Sequence, residues 1–273
     1  MTTDTRPGTG RWLRRFHPAP GPAAPRLVML PHAGGSASFY FPFSRALSGD
    51  VDVLVTQYPG RQERHGEPSI TDIRELAAAV LAALTADGPG DAPLALFGHS
   101  MGALVAYELA GLLEERGVPL ARLFVSGCRG AAVPDDDPRW LRAHDDDALL
   151  AELAAMGGTD AELLDHPDIR QLVLPPLRAD LHAVRTYRHR PRRPLRVPVT
   201  ALTGDADPRV RPDTARAWSE LTLGPCDLRT FPGDHFYLVA PGTFDEVAGL
   251  LRDRLTGPGP STTHTPHGEE ETA

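Results

Sequence analysis

The sequence predicts an α/β protein with a mostly parallel central sheet and helices on both of its faces. Short apolar runs alternate along the chain with longer stretches of helical pattern, and no internal repeat is visible. A Gly-x-Ser-x-Gly pentapeptide at residues 98–102 stands between one such run and one such stretch, in the order strand, turn, helix. Together these two observations favour a parallel sheet over an all-α or all-β fold.

Each predicted strand is a short apolar run that helical segments separate from the next. The strands are expected at residues 27–30, 51–56, 94–97, 123–126, 197–202 and 227–231. The helices are expected at residues 72–86, 103–116, 212–221 and 244–255.

Both ends of the chain are expected to be disordered. Residues 1–24 are rich in Pro, Gly and Arg, and residues 257–273 are rich in Pro, Thr, Gly and Glu. Such segments bury too little apolar surface to offset the entropy of ordering them. We expect residues 25–256 to form one domain, a size that α/β architectures reach without dividing.

Ser100 is the candidate nucleophile. A serine on a sharp turn between a strand and a helix projects its hydroxyl above the sheet, and the flanking glycines allow neighbouring elements to pass close to that turn. The alternative interpretation is a glycine-rich turn that contains a structural serine.

A serine nucleophile requires a histidine base and a carboxylate that orients it, expected in the chain order Ser, Asp, His. Asp207 is the predicted acid and Asp205 is its competitor, because both follow the strand at 197–202. Asp207 is preferred because Pro208 favours an extended conformation at the residue before it, although either aspartate could simply cap a turn. His235, in a glycine-containing loop after the last strand, is the predicted base, and a surface histidine is the alternative.

Acyl transfer also needs backbone N–H donors for the developing oxyanion. Met101, which follows the nucleophile, is expected to supply one of them. Ala33, in the glycine-rich stretch 31–35 after the first predicted strand, is expected to supply the other.

Residues 134–193 interrupt the alternation, because they show helical pattern and no strand-like run. The pattern covers 145–153, which opens with three aspartates, then 160–165, and then 172–187 with a break at Pro175 and Pro176. Insertions of this length over an active site are usually lids, so we predict a helical lid at about 134–193 that roofs the cavity. The alternative is a packed helical subdomain without a gating role.

Five short blocks together resemble the type II thioesterases that accompany modular polyketide and nonribosomal peptide synthases. The resemblance spans about residues 26–254, and its blocks lie at 31–38, 57–61, 98–103, 177–180 and 234–237. It implies an α/β-hydrolase fold with a helical lid and a triad at Ser100, Asp207 and His235, with oxyanion amides at Ala33 and Met101. No metal or organic cofactor is implied.

The same resemblance implies a function, namely the hydrolysis of acyl groups from the phosphopantetheine arm of an acyl or peptidyl carrier protein. Such an enzyme edits stalled or aberrant units on the synthase. A general hydrolase of small esters and acyl-thiols, and a chain-releasing thioesterase or acyltransferase, remain open as alternatives. A carrier-binding module without activity is disfavoured by the complete triad.

Composition indicates a cytoplasmic protein, expected to be a monomer with neither nucleic acid nor membrane as partner. No apolar run approaches the length of a membrane span, and residues 1–7 lack the apolar core of a secretory signal. The formal net charge is −8, so steering toward an acidic carrier would have to be local. The densest basic run is the candidate docking site near the entrance, with a solvated hinge as the alternative; it comprises Arg188, Arg190, Arg192, Arg193 and Arg196.

Overall fold

Seven strands form a single sheet in a computed structural model of the chain, which describes residues 9–86, 90–134, 146, 149 and 167–257. The strands are β1 (Leu13–Arg14), β2 (Arg26–Leu30), β3 (Asp52–Thr56), β4 (Leu94–His99), β5 (Leu120–Ser126), β6 (Val199–Gly204) and β7 (Cys226–Phe231). They lie in the spatial order β1-β3-β2-β4-β5-β6-β7. β1 pairs antiparallel with β3 and all other pairs are parallel, which confirms the predicted α/β class.

Seven α-helices with described bounds accompany these strands. They are α1 (Thr9–Trp12), α2 (Phe41–Leu47), α3 (Ile73–Thr85), α4 (Met101–Glu115), α5 (Pro167–Thr186), α6 (Pro212–Arg216) and α7 (Thr243–Thr256). α3 begins at a well-capped end, because the Asp72 carboxylate accepts the N–H groups of Arg74 and Glu75.

Side chains that alternate along each strand divide the core into two layers. In β2, Val28 and Leu30 pack with α3 and α4, whereas Leu27 and Met29 pack with α2 and α7 on the opposite face. All four side chains are fully buried. Because both faces of the sheet are covered, the central strands read as continuous apolar runs rather than as alternating ones.

The expected disorder of residues 1–24 is wrong for the part of this segment that the structure describes. Leu13 and Arg14 extend the sheet by pairing with the outer edge of β3. The guanidinium of Arg64 lies 4.2 Å from the ring centre of Trp12, and Arg15 donates two hydrogen bonds to the buried Asp52. A strand of two residues leaves no periodic pattern, so composition dominated the prediction. Residues 1–8 and 258–273 lie outside the described part of the chain.

The segment 134–193 is described only in part. The predicted helical pieces at 145–153 and 160–165 lie outside the described residues except for Asp146 and Leu149. The predicted break at Pro175 and Pro176 is wrong, because α5 continues through both prolines. Proline is compatible with helical φ, and the buried leucines of this helix hold it against the core on either side of the two missing N–H groups; they are Leu174, Leu177 and Leu181.

Candidate active site

The turn between β4 and α4 holds Ser100 in an unusual backbone conformation. Its φ is 53° and its ψ is −118°, and Gln62 is the only other non-glycine residue with positive φ in the described ranges. The Ser100 N–H donates to the carbonyl of Ser126 at 2.8 Å, which ties the turn to the end of β5. Strained residues of this kind persist where surrounding contacts enforce them, and they concentrate at functional sites.

The two glycines of the pentapeptide are required by close packing around this turn. A Cβ atom at Gly98 would lie 2.1 Å from the carbonyl oxygen of Gly102. A Cβ atom at Gly102 would lie 2.0 Å from the carbonyl oxygen of Leu30 in β2. Both positions must therefore be glycine for β2, β4 and α4 to approach one another as they do.

Asp207 and His235 follow β6 and β7 at the same edge of the sheet as Ser100, and they contact each other directly. Asp207 Oδ2 lies 2.8 Å from His235 Nδ1. Asp207 Oδ1 accepts the N–H groups of Arg209 and Val210 at 2.8 and 3.2 Å. The Asp207 carboxylate is fully buried and accepts hydrogen bonds from these two N–H groups and from the Nδ1–H of His235. With its proton on Nδ1, the imidazole has Nε2 as its unprotonated nitrogen.

Asp205 occupies a different environment, although it lies only two residues before Asp207. Its Oδ1 accepts the N–H of Gly233 at 3.0 Å, and the residue is exposed to solvent. The structure therefore brings Asp207, and not Asp205, to the histidine. Asp205 instead holds the loop that carries His235 through its hydrogen bond with the Gly233 N–H.

A cavity of about 50 Å³ lies above the turn, and Ser100, His235, Ala33 and Met101 all line it. His235 Nε2 is buried and has no hydrogen-bond partner among the described residues. Met101 is the first residue of α4, so its N–H has no acceptor within the helix. The rest of the wall combines the apolar side chains of Leu104, Val184, Val210 and Phe236 with the polar ones of His32, Arg129 and Arg209.

Two further histidines pack beside His235 and are uncharged. Burial lowers the pKa of His32 to about 3, with smaller contributions from His235 and Arg61. Burial also holds the pKa of His99 well below its usual range, with His235 and His32 adding to the effect. The ring centres of His99 and His235 are 5.0 Å apart. Because both neighbours stay neutral, they do not oppose the formation of a positive charge on His235.

His99 is held by a buried hydroxyl pair at the base of the site. Its Nδ1 lies 2.9 Å from Ser126 Oγ, and that oxygen lies 2.6 Å from the Tyr237 hydroxyl. The His99 side chain thus turns under the sheet edge, and the adjacent Ser100 lines the cavity. Gly127 leaves room for this arrangement, since a Cβ there would lie 2.5 Å from His99 Cε1.

Sequence reasoning from the residues alone did not identify a buried ion pair beside the loop that carries Ala33. Asp180 of α5 and Arg61, after β3, form two hydrogen bonds of 2.8 Å each. Asp180 also accepts the N–H of Gly34 at 2.8 Å. These residues are far apart in the sequence, and their signal lay only in the blocks 57–61 and 177–180 of the family resemblance.

The described ranges contain no group of three or more His, Cys, Asp or Glu side chains arranged to hold a metal ion. None of the helices in the described part of the chain is long and apolar enough to cross a membrane. Cys128, which lines the cavity, and Cys226 are not joined in a disulfide.

Comparisons with known proteins agree on one family. A family model described as Thioesterase domain matches residues 25–255. Thioesterase PikA5 of Streptomyces venezuelae is 48% identical over 248 residues, which cover 90% of this chain and 86% of that protein. The solved structure of the type II thioesterase BorB from the borrelidin biosynthetic cluster is 44% identical, with a TM-score of 0.81 over 89% of this chain and 97% of that one. RedJ, a thioesterase from the prodiginine pathway of Streptomyces coelicolor, is 38% identical, with a TM-score of 0.79 over 87% and 89% of the two chains.

Proposed function

The chain belongs to the type II thioesterases of polyketide and nonribosomal peptide biosynthesis, and we propose that it removes stalled or aberrant acyl groups from the phosphopantetheine arm of carrier proteins. One observation supports this more than any other. The His235–Asp207 pair, with its free Nε2, shares one cavity with Ser100 on its strained turn.

In the proposed reaction, Ser100 Oγ attacks the thioester carbonyl carbon while His235 Nε2 takes the hydroxyl proton. Asp207 holds the imidazole in the tautomer that exposes Nε2 and stabilises the imidazolium that forms. Collapse of the tetrahedral intermediate breaks the C–S bond, and the thiol of the phosphopantetheine arm leaves with the proton from His235. An acyl ester on Ser100 remains.

The second half of the reaction uses the same residues on water. His235 Nε2 removes a proton from a water molecule, whose oxygen attacks the acyl-enzyme carbonyl carbon. The C–O bond to Ser100 then breaks, His235 returns the proton to Oγ, and the free carboxylic acid departs. In both halves the N–H groups of Ala33 and Met101 are proposed to donate to the oxyanion, in accord with their position in the cavity wall.

The apolar side chains in the cavity wall support an acyl chain as the bound group. Thiolate is a better leaving group than alkoxide, so a thioesterase needs no deep or highly selective pocket to turn over varied acyl units. We propose that residues 25–256 form the catalytic domain and that residues 134–193 cover the acyl chain as a lid. We further propose a monomeric enzyme of the cytoplasm, whose partner is the carrier protein.

Substrate comparison tests this proposal. Purified protein should hydrolyse acyl groups from a panel of carrier proteins with higher kcat/KM than matched acyl-thiols, and both in preference to oxygen esters of the same acyl group. Equal rates on esters and thioesters would favour a general small-ester hydrolase. Transfer of the acyl group to an added alcohol or amine in place of water would favour a chain-releasing enzyme or an acyltransferase.

Ser100→Ala is the first variant to measure. It should lower turnover by about three to six orders of magnitude while the protein stays folded and still binds carrier, because it removes only the nucleophile. A fluorophosphonate probe should label wild-type protein at Ser100, as located by peptide mass spectrometry, and should not label the variant. Hydrolysis by Ser100→Ala near the wild-type rate would refute the mechanism.

A further inference from the structure

We propose that Asp180 and Arg61 are positioning residues that hold the loop at 32–37 so that the Ala33 N–H is presented to the oxyanion. The inference rests on the proposed function, because it gives the loop a part in thioester hydrolysis. Neither side chain reaches the reacting atoms in this assignment; both act through the backbone on either side of Gly34 and Gly35.

The ion pair contacts the loop directly after Ala33. Asp180 Oδ2 accepts the Gly34 N–H at 2.8 Å, and Arg61 Nη1 donates to the Gly35 carbonyl at 2.9 Å. The same Nη1 lies 2.8 Å from Asp180 Oδ2, so one nitrogen links the carboxylate to the loop. One N–H and one carbonyl of consecutive residues are therefore fixed, which sets the orientation of the peptide groups next to Ala33.

A second contact fixes Arg61 and the far end of the loop. Gln57 Oε1 accepts the Ala37 N–H at 2.7 Å, and Gln57 Nε2 donates to the Arg61 carbonyl at 3.2 Å. The Arg61 guanidinium lies 5.2 Å from the ring centre of Tyr58, at cation–π distance. The loop is thus held at Gly34 and Gly35 and again at Ala37, whereas none of the hydrogen bonds between described residues uses the Ala33 N–H.

The loop needs this external support because it supports itself poorly. Gly34 has a φ of +74°, a conformation that residues with a side chain rarely adopt. Within the loop, one backbone hydrogen bond is described, from the Gly35 N–H to the His32 carbonyl at 2.9 Å. Helix α5 packs directly on it, since a Cβ at Gly34 would lie 3.1 Å from Leu177 Cδ1. Without α5 and Arg61, the glycine-rich backbone has many other conformations available.

Because the pair between Asp180 and Arg61 is buried, both its charge balance and its orientation matter to the loop. Asp180 is fully buried and Arg61 is 6% exposed, so each charge depends on the other for compensation. A bidentate Arg–carboxylate contact fixes the relative orientation of the two side chains more tightly than a single hydrogen bond does. If the two residues served only as an ion pair, exchanging their charges would restore it. Here the Gly34 N–H needs an acceptor and the Gly35 carbonyl needs a donor, so the exchange would not restore the loop.

Asp180→Asn and Arg61→Lys are the test variants, assayed on a small acyl-thiol so that carrier docking plays no part. Each should lower kcat about 10- to 100-fold and change KM less than about threefold, because a displaced oxyanion donor acts mainly in the transition state. Affinity for a trifluoromethyl ketone inhibitor, whose adduct with Ser100 places an oxyanion in the same position, should fall by a similar factor. The pH at which activity is half-maximal should not move, because His235 and Asp207 are unchanged.

Arg178→Met is the matched control on the same helix. Arg178 makes an exposed ion pair with Asp146 and should keep kcat within about twofold of wild type. The reversed pair Arg61→Asp with Asp180→Arg should remain as slow as the single variants if it folds, and Arg61→Lys, which keeps the charge, is the readout if it does not. Wild-type kcat and wild-type inhibitor affinity in both Asp180→Asn and Arg61→Lys would overturn the inference. A wild-type protein without thioesterase turnover would instead refute the proposed function.

Discussion

Two aspartates in one loop, Asp205 and Asp207, have different surroundings and therefore different chemistry. Asp207 is fully buried at its carboxylate and contacts His235, whereas Asp205 is exposed and accepts a backbone N–H. Two further backbone donors orient Asp207 so that its second oxygen meets the imidazole. A carboxylate with its rotation removed in this way can fix the tautomer of a histidine, which a solvated carboxylate does poorly.

The difference predicts the outcome of two matched substitutions. Asp207→Asn should lower kcat/KM by about four orders of magnitude, because an amide at this position favours the wrong imidazole tautomer. Asp205→Asn should lower it less than tenfold, because its amide oxygen still accepts the Gly233 N–H. Steady-state rates on one acyl-thiol, with circular dichroism to verify folding, measure both. A larger loss in Asp205→Asn than in Asp207→Asn would reverse the assignment.

At the residue scale, the Ser100 turn and the candidate residues Asp207 and His235 could be predicted from the sequence, whereas the buried contact between Arg61 and Asp180 could not. Ser100 and its glycines form one contiguous pattern, because the turn must be made within five residues. The order of Ser100, Asp207 and His235 follows from the order in which parallel strands reach one edge of the sheet. The contact between Arg61 and Asp180 joins residues 119 positions apart, and no spacing rule connects them. Only the folded structure puts that buried carboxylate beside the Ala33 loop.

At the element scale, the turn between β4 and α4 is built by three closely packed backbones. Gly102, on the first turn of α4, faces the carbonyl oxygen of Leu30 at the end of β2. Gly98 in turn faces Gly102. This crowding supports the strained φ of Ser100, because neither the strand nor the helix can move away from the other without losing sheet and core contacts.

Alanine at Gly102 should therefore destabilise the fold. Its Cβ would lie 2.0 Å from the Leu30 carbonyl oxygen, an overlap that we expect to lower the free energy of unfolding by about 3 kcal/mol or more. Gly249→Ala in α7 is the control, because a Cβ at that position would meet no atom within 4 Å outside the adjoining backbone of its own helix. The higher helix propensity of alanine should add about 0.5–1 kcal/mol to the free energy of unfolding. Urea unfolding of both variants checks the pair. Equal stability of Gly102→Ala and wild type would contradict the packing account.

The elements themselves were predicted where their pattern is long. All six predicted strands are present with ends shifted by a few residues, and the missed strand β1 is only two residues long. The missed helix α2 begins at Phe41 and spans seven residues, which are too few to show a helical period. The continuous helix through Pro175 and Pro176 shows tertiary packing overriding local propensity.

At the scale of the whole molecule, the net charge and the placement of the arginines bear on how a carrier protein would dock. With a formal net charge of −8, the chain as a whole does not attract an acidic protein, so the carrier docking that we propose would require locally placed arginines. The structure places two arginines of the basic run, Arg192 and Arg196, against α4. Arg192 lies over Gly111 and contacts Glu108 and Glu115, in the half of α4 remote from Ser100. Arg188 lies just after α5, whose Val184 lines the cavity.

Two exposed arginines of this run, Arg188 just after the cavity-lining helix α5 and Arg193 five residues further along the chain, provide a charge-matched test of docking. Arg188 follows the end of α5 by two residues, whereas Arg193 lies beyond Arg192, which sits about 16 Å along α4 from Ser100 at the helical rise. Arg188→Glu should raise KM for an acyl-carrier about threefold to tenfold at low salt, with the effect shrinking as salt is added, and should leave the small acyl-thiol unaffected. Arg193→Glu carries the same change in charge and should alter KM for either substrate less than twofold. Equal increases from both variants would indicate that the carrier binds along the length of α4, and no increase from either would place docking on the part of the cavity rim that lies away from this run.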